Sequence, residues 1–321
     1  MTKFLILRFS SIGDIVLTTP VIRCLKQQYK NAEVHYATKV GFKTILENNV
    51  YIDKLHLLND NIGELITDLK AENYDYIIDL HNNLRTRIIK TRLGKPSFAF
   101  KKYNVEKFLL TNFKIDKMPS LHIVDRYLDT LKSFNVKNDA KGLDYFIPAK
   151  DEVALSEFNL PKEYIGFVIG AKFATKRMPL DKILEVCSKI ELAIVLLGGK
   201  EDIEVGVAVE KAFPKKVFNA VGKFNLNQSA SLVKQAKQII THDTGLMHIA
   251  SALQKDIISI WGNTTTKFGM YPYVSTNKFS VIEVNDLKCR PCSKIGYAKC
   301  PKSHFKCMND ISVDDIIVAL K

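Results

Sequence analysis

The stretch Thr241-His242-Asp243-Thr244-Gly245-Leu246-Met247-His248-Ile249-Ala250 holds the residues best suited to chemistry in this chain. An acid, a hydroxyl and a glycine follow the short apolar run Gln238-Ile239-Ile240, and a helical pattern runs from Leu246 to Leu253. That order predicts a buried strand, a turn and a helix. The first turn of such a helix leaves N–H groups without intrahelical partners and carries the positive end of the helix dipole. A diphosphate suits such a place. His248 falls one turn into the helix, on the side facing the same spot.

Three further strand ends carry polar groups. Tyr164 to Gly170 reads as a strand, and Ala171-Lys172-Phe173-Ala174-Thr175-Lys176-Arg177-Met178-Pro179 follows it. Backbone N–H groups, the Thr175 hydroxyl and the Lys176 ammonium there suit phosphate. The glycine and Lys-Ser/Thr spacing of a Walker loop is absent, and an exposed basic loop is the plainer alternative. Gly198-Gly199-Lys200-Glu201-Asp202 ends the next strand, where a carboxylate can accept hydrogen bonds from ribose hydroxyls. Asp14 follows the first apolar run, Lys3 to Arg8. It can serve as a general base or merely stabilise the N-terminus of the next helix. Both roles stay open at this point.

Cys289 and Cys292 are spaced like half of a zinc site, but Cys300 and Cys307 are set too widely for the common ribbon patterns. With His304 nearby, a structural zinc competes with buried thiols or a disulfide. Lys288, Arg290, Lys294, Lys299, Lys302 and Lys306 surround these cysteines with no acid among them. Paired carboxylates and clustered histidines that would support metal catalysis are lacking at the strand ends.

The elements that must position these residues form two α/β halves. Glu33 to Ala37 and Tyr74 to Leu80 join the first run as strands, with helical patterns between. Pro20 should mark the first turn of a helix or kink it. The polar stretch Pro148 to Pro161 breaks the pattern, which then restarts. The expected domains are 1–155 and 156–321. Leu192 to Leu197 and Ile257 to Ile260 complete the second set of strands, and Val313 to Leu320 reads as a closing helix. Two doubly wound parallel sheets of this kind place a ligand cleft at the carboxyl ends of their strands.

Residues 81–117 stand apart. Ten basic residues, including Arg85, Arg87 and Lys101, outnumber two acids, and Phe98, Phe100, Tyr103, Phe108 and Phe113 are interleaved. The aromatics are expected to turn into the core and the charges to face a partner. The whole chain of 321 residues carries a net charge of +13, so an acidic partner is expected: nucleic acid, an anionic membrane surface or a phosphorylated substrate. A lysine-rich composition without a partner is the bland alternative. The 46% hydrophobic and 25% charged content is that of a soluble globular protein. No apolar run reaches the ~20 residues of a membrane span. Arg8 and Asp14 interrupt the one stretch, Phe4 to Val21, that faintly resembles a signal sequence. A cytosolic protein is expected, and six cysteines in such a chain do not suggest a secreted disulfide scaffold.

Three stretches together resemble the lipopolysaccharide heptosyltransferases, glycosyltransferase family 9. They are Arg8-Phe9-Ser10-Ser11-Ile12-Gly13-Asp14-Ile15-Val16-Leu17-Thr18-Thr19-Pro20, Lys176-Arg177-Met178-Pro179 and Asp243 to Ala250. The resemblance spans nearly the whole chain, with Met178 standing where the family often has an aromatic residue. It implies a GT-B fold of two Rossmann-like domains facing an interdomain cleft, the first for the acceptor and the second for the donor. It implies inverting transfer of heptose from an ADP-sugar to a Kdo or heptose residue of the lipopolysaccharide inner core, with no metal required. Asp14 would deprotonate the acceptor. Lys176, Asp243, Thr244, Gly245 and His248 would hold the donor, with Thr175 and Glu201 carried over alongside them. Arg85, Arg87 and Lys101 would meet the lipid-linked anionic acceptor or the membrane surface bearing it. Two other readings compete: a GT-B transferase or epimerase using another nucleotide sugar, and a basic nucleic-acid-binding module. The basic residues match no helix-turn-helix, RRM or zinc-finger pattern, so no nucleic acid is expected.

Overall fold

A computed structural model describes residues 1–320. The chain divides into two compact units, one of Met1–Lys102 with Leu121–Phe146, the other of Tyr103–Ser120 with the chain from Ile147 onward. The second unit thus takes in part of the basic, aromatic stretch.

The first unit is built on strands β1 (Thr2–Leu7), β2 (Ala32–Lys39), β3 (Lys54–Leu58), β4 (Tyr76–Asp79) and β5 (Ser97–Ala99). They lie in the order β3-β2-β1-β4-β5, all parallel. The second unit holds β6 (Tyr164–Val168), β7 (Ala193–Leu197), β8 (Val217–Asn219), β9 (Gln238–His242), β10 (Ile257–Trp261) and β11 (Phe279–Glu283). Their order is β11-β10-β9-β6-β7-β8, again all parallel. Central strands of such sheets are covered on both faces and carry apolar side chains at nearly every position. All five residues of β6 and of β10 are buried accordingly. Alternate residues feed two cores: Ile165, Phe167, Ile240 and Ile258 on one face, Tyr164, Val168, Ile239 and Ile257 on the other.

In each sheet the chain runs outward from the first strand, then returns to continue on that strand's other side. The reversal falls between β1 and β4 in the first sheet and between β6 and β9 in the second. Ligands of doubly wound sheets bind at the carboxyl ends of strands at this reversal. Asp14, Lys176 and Asp243 all follow strands that flank one. Pro20 lies in the first turn of the helix Thr19–Gln28, where its missing N–H costs nothing.

The aromatics of residues 81–117 do not all turn inward. Phe100 is buried against Tyr127, and Phe98 packs on Phe134. Phe108 and Phe113 stand in solvent, 54% and 62% exposed. Within Asn104–Phe113 only Leu110 is fully buried, so this short helical segment has one anchor and leaves Val105, Phe108 and Phe113 outside. Among the described residues no helix is long and apolar enough to cross a membrane.

Candidate active site

The second sheet brings Lys176 and Asp243 together. Lys176 lies beyond β6 in the turn Ala174–Lys176, and Asp243 lies directly after β9. Because β6 and β9 are neighbours, their loops meet. Lys176 Nζ donates to Asp243 Oδ2 at 2.5 Å and to the Asp243 carbonyl at 3.3 Å. Thr264, beyond β10, donates its hydroxyl to the same carboxylate oxygen at 2.9 Å. Thr244 caps the helix Gly245–Ala252 in extended conformation, so the first N–H groups of that helix open beside the lysine. An ammonium and a helix N-terminus at one point form an anion site. His248, one turn further in, is buried.

The supporting residues fix this geometry. His242 ends β9, is fully buried, and accepts a hydrogen bond at Nε2 from the Met178 N–H at 3.1 Å. The bond ties the Lys176 loop to the strand that bears Asp243. Burial holds the His242 pKa down at about 4, so the ring is neutral and able to accept. Thr175 is buried, and its hydroxyl is engaged with the Tyr297 backbone, accepting from its N–H at 2.8 Å. It pins the loop of 288–306 to the site. Glu201 is exposed. The buried carboxylate at that strand end is its neighbour Asp202, which accepts from the Gly199 N–H at 2.9 Å and pairs with Arg177 at 3.4 Å. Burial raises the Asp202 pKa above the usual carboxylate value. Gly170 leaves room for it: a Cβ there would lie 2.0 Å from Asp202 Oδ2.

In the first unit Asp14 lies in the helix Ile12–Val16. Its Oδ2 accepts from the Ser11 N–H at 3.1 Å and the Ser11 hydroxyl at 2.6 Å, and its Oδ1 meets Arg8 Nη2 at 2.6 Å. Arg8 is buried and further donates to the carbonyls of Ser10 and Leu80 and to the Tyr127 hydroxyl. Asp14 therefore stabilises the start of its helix, and its carboxylate is partly exposed at the reversal of the first sheet. His81, after β4, accepts from the Phe9 N–H at 3.1 Å. Burial, then Arg8 and Lys102, holds its pKa down at about 4.

Arg85 sits over the Phe9 ring at 5.5 Å. It lines a groove of about 860 Å³ with Lys39, Phe42, Asp60, Asn83 and Ile88, beside the carboxyl ends of β2 and β3. Arg87 and Lys101 are exposed. Part of the basic stretch is structural: Lys90 pairs at 2.8 Å with Asp79, which is fully buried.

The cysteines do not assemble as a zinc site. Cys292 donates its thiol to the Cys289 carbonyl, Cys289 Sγ is 3.8 Å from His304 Nε2, and Cys307 lies in the core beneath the second sheet. Burial, with Cys289 beside it, pushes the Cys292 thiol up to about 11, and burial, with Cys292 and Cys300 nearby, pushes that of Cys307 to about 12. All are free, as is Cys300. Among the described residues, side chains close enough to share an ion occur at His35, His56 and Glu72. There Lys3 and Lys54 already hold the glutamate.

The sequence pattern does not reveal Arg8, Thr264, His242 or Asp202 as parts of these sites. Arg8, His242 and Asp202 did carry a signal, since each lies inside a stretch already singled out. Thr264 lies outside them all and acts only through a contact the fold creates.

Two doubly wound parallel sheets, the second ending in a lysine beside a helix N-terminus, make this a GT-B type protein, the class of nucleotide-sugar transferases. The family model for "Glycosyltransferase family 9 (heptosyltransferase)" matches residues 62–300, and the chain belongs to that family. It is 27% identical to lipopolysaccharide heptosyltransferase 1 of Campylobacter coli, over 99% of this chain and 98% of that one. It is also 27% identical to lipooligosaccharide heptosyltransferase 2 of Haemophilus influenzae, over 83% and 85%. The fold matches a glycosyl transferase family 9 structure from Veillonella parvula with a TM-score of 0.80 at 22% identity, covering 99% of this chain and 96% of that one. It matches E. coli ADP-heptose lps heptosyltransferase II with a TM-score of 0.77 at 20% identity, covering 99% and 97%.

Proposed function

We propose that this enzyme moves heptose from ADP-heptose to a Kdo or heptose residue of the lipopolysaccharide inner core, with inversion and without a metal, in the cytoplasm at the inner membrane. The observation that carries the reading is the Lys176–Asp243 pair at the N-terminus of Gly245–Ala252. It supplies one cation and a row of N–H groups where a diphosphate would gain charge on leaving. Family membership and the names of the curated relatives support heptose as the sugar and lipopolysaccharide as its destination. A fold relative solved with ADP-2-deoxy-2-fluoro heptose suggests the donor.

Inversion needs the acceptor oxygen to attack C1 opposite the departing diphosphate. The reading gives Asp14 the acceptor proton, with Arg8 and Ser11 holding the carboxylate in place. Lys176 neutralises the leaving ADP. Asp243, released from Lys176 by the diphosphate, accepts hydrogen bonds from the sugar hydroxyls together with Thr264. Thr244, Gly245 and His248 complete the donor pocket, and Glu201 reaches for the ribose. Thr175 acts by fixing the loop through Tyr297. Arg85, Arg87 and Lys101 receive the anionic acceptor.

A thermal-shift panel of ADP, UDP, GDP, dTDP and CMP tests the donor. A ligand at a hundred times its Kd adds about 2.7 kcal/mol of stability. A shift selective for ADP supports the reading. A preference for UDP or GDP overturns the heptose donor, and no shift with any nucleotide overturns the transferase assignment for this site.

A further inference from the structure

The strongest unexplained feature is the surface of residues 103–120. Val105, Phe108, Phe113 and Ile115 are 68%, 54%, 62% and 46% exposed. The helix Asn104–Phe108 runs on into a single π turn, Leu109–Phe113. A π turn brings residues five apart into line, and the rings of Phe108 and Phe113 meet edge to face at 5.8 Å. Two neighbouring phenylalanines held in solvent mark a contact surface.

The charge around this patch says what it contacts. Lys107, Lys114 and Lys117 flank it. Of its two acids, Asp116 is paired with Lys267 at 2.7 Å, and Glu106 leaves the rim with a basic excess. Lys114 donates to the carbonyls of Pro291 at 2.7 Å and Cys289 at 3.2 Å. That joins the segment to the stretch of 288–306, which has six basic residues and no acid. That stretch exposes Ile295 and Tyr297 as well. Aliphatic and aromatic side chains ringed by lysine are the composition of an element that lies in an anionic lipid interface. A second copy of the chain is a poor occupant, because a two-fold contact would set this basic rim against itself.

We propose that Val105, Phe108, Phe113 and Ile115 form a wedge that enters the headgroup region of an anionic bilayer, with the surrounding lysines on the lipid phosphates. The wedge would hold the enzyme at the surface where a lipid-linked acceptor resides. It rests on the transferase reading for that purpose alone, so the test uses vesicles without acceptor.

The full chain is floated with phosphatidylcholine vesicles, with and without phosphatidylglycerol. Wild type should float with the anionic vesicles only. Phe108→Ser/Phe113→Ser should lower that partition by about tenfold or more, the loss of roughly two buried rings from the interface, and keep its ADP-dependent thermal shift. Phe108→Trp should give a blue-shifted emission on adding anionic vesicles, distinct from that of the buried Trp261. Unchanged flotation of the serine variant, or tryptophan emission that stays at its aqueous wavelength while the protein is bound, overturns the wedge. So does a dimer in sedimentation velocity that the serine variant dissolves while flotation is unchanged. Flotation without any nucleotide shift leaves the wedge standing and counts against the transferase reading instead.

Discussion

Lys176 Nζ rests 2.5 Å from Asp243 Oδ2, and both side chains are largely buried. The pair stores the lysine charge where the donor diphosphate is proposed to arrive, so binding exchanges one anion for another. Lys176→Ala should therefore reduce ADP affinity by tenfold or more, about 1.4 kcal/mol or above. It should also lower stability by about 1–3 kcal/mol, because the Asp243 carboxylate loses its cation and is left with the Thr264 hydroxyl as a donor. Calorimetric titration with ADP and a denaturant melt measure the two separately. An affinity within twofold of wild type would remove Lys176 from the donor site.

Asp14 is built into both a cap and a proposed reaction. Asp14→Asn should cut turnover on the order of 10²- to 10⁴-fold, the usual worth of a general base, with ADP affinity unchanged. It also leaves Arg8 without its anion, although the carbonyls of Ser10 and Leu80 and the Tyr127 hydroxyl still hold it. Ser11→Ala separates the two roles. It removes one hydrogen bond to Asp14, worth about 1 kcal/mol, and should leave turnover nearly intact. Equal loss of turnover in both variants would make Asp14 a structural residue.

Three half-buried or buried histidines set the acid limit of the fold. Burial lowers His56, His81 and His242 to about 4 each, aided by His35 and Lys54 at the first and by Arg8 and Lys102 at the second. Unfolded histidine titrates near 6.5. Above that pH both states are neutral and nothing is gained or lost. As pH falls from about 6.5 toward 4, the unfolded chain binds protons that the folded chain refuses, so stability declines. Each site contributes up to about 1.4 kcal/mol per pH unit in that window. Urea melts across it should show a steep loss, and His242→Gln should flatten the slope by about one site's share. A flat profile between pH 6.5 and 4.5 would show that these rings are protonated in the folded state.

The sheet edges explain what the sequence conceals. The runs read as strands correspond to β1, β2, β4, β6, β7, β9 and β10, the seven interior strands. Those missed are β3, β5, β8 and β11, the four edges. An interior strand is apolar at nearly every position, as in Tyr164–Val168. An edge strand is short or half exposed, as in Ser97–Ala99 and Phe279–Glu283, and reads like a loop. The site follows the same division. Asp14, Lys176 and Asp243 are legible because each follows an interior strand and opens a turn. Thr264 on Asp243 and His242 on Met178 are not, because they meet across neighbouring strands. Phe108 and Phe113 look like core residues in composition, and only the π turn and its single anchor Leu110 put them outside.

The groove beside Arg85 offers a separate test of the acceptor side. Arg85→Glu, Arg87→Glu and Lys101→Glu combined should raise the acceptor KM by tenfold or more and leave the ADP shift unchanged, since all three lie in the unit without Lys176. The variant should also weaken with added salt less than wild type, because exposed charges are screened. An unchanged acceptor KM would assign these charges to solvation.

Gly170 and Asp202 make a claim about the donor scaffold that needs no substrate. A Cβ on Gly170 would press on Asp202 Oδ2, and Asp202 is buried with its oxygens committed to the Gly199 N–H and Arg177. Gly170→Ala should therefore cost about 1–3 kcal/mol, the range for overpacking a filled site. It should also loosen the turn that carries Lys176, seen as weaker ADP binding. Asp202→Ser shortens the opposing side chain and is destabilising by itself through the lost bonds. Adding Gly170→Ala to it should cost much less than in wild type. That non-additivity, about 1 kcal/mol or more in a double-mutant cycle, identifies the clash as the cause. Additive losses would place the need for glycine in the backbone of the turn rather than in the space Asp202 occupies.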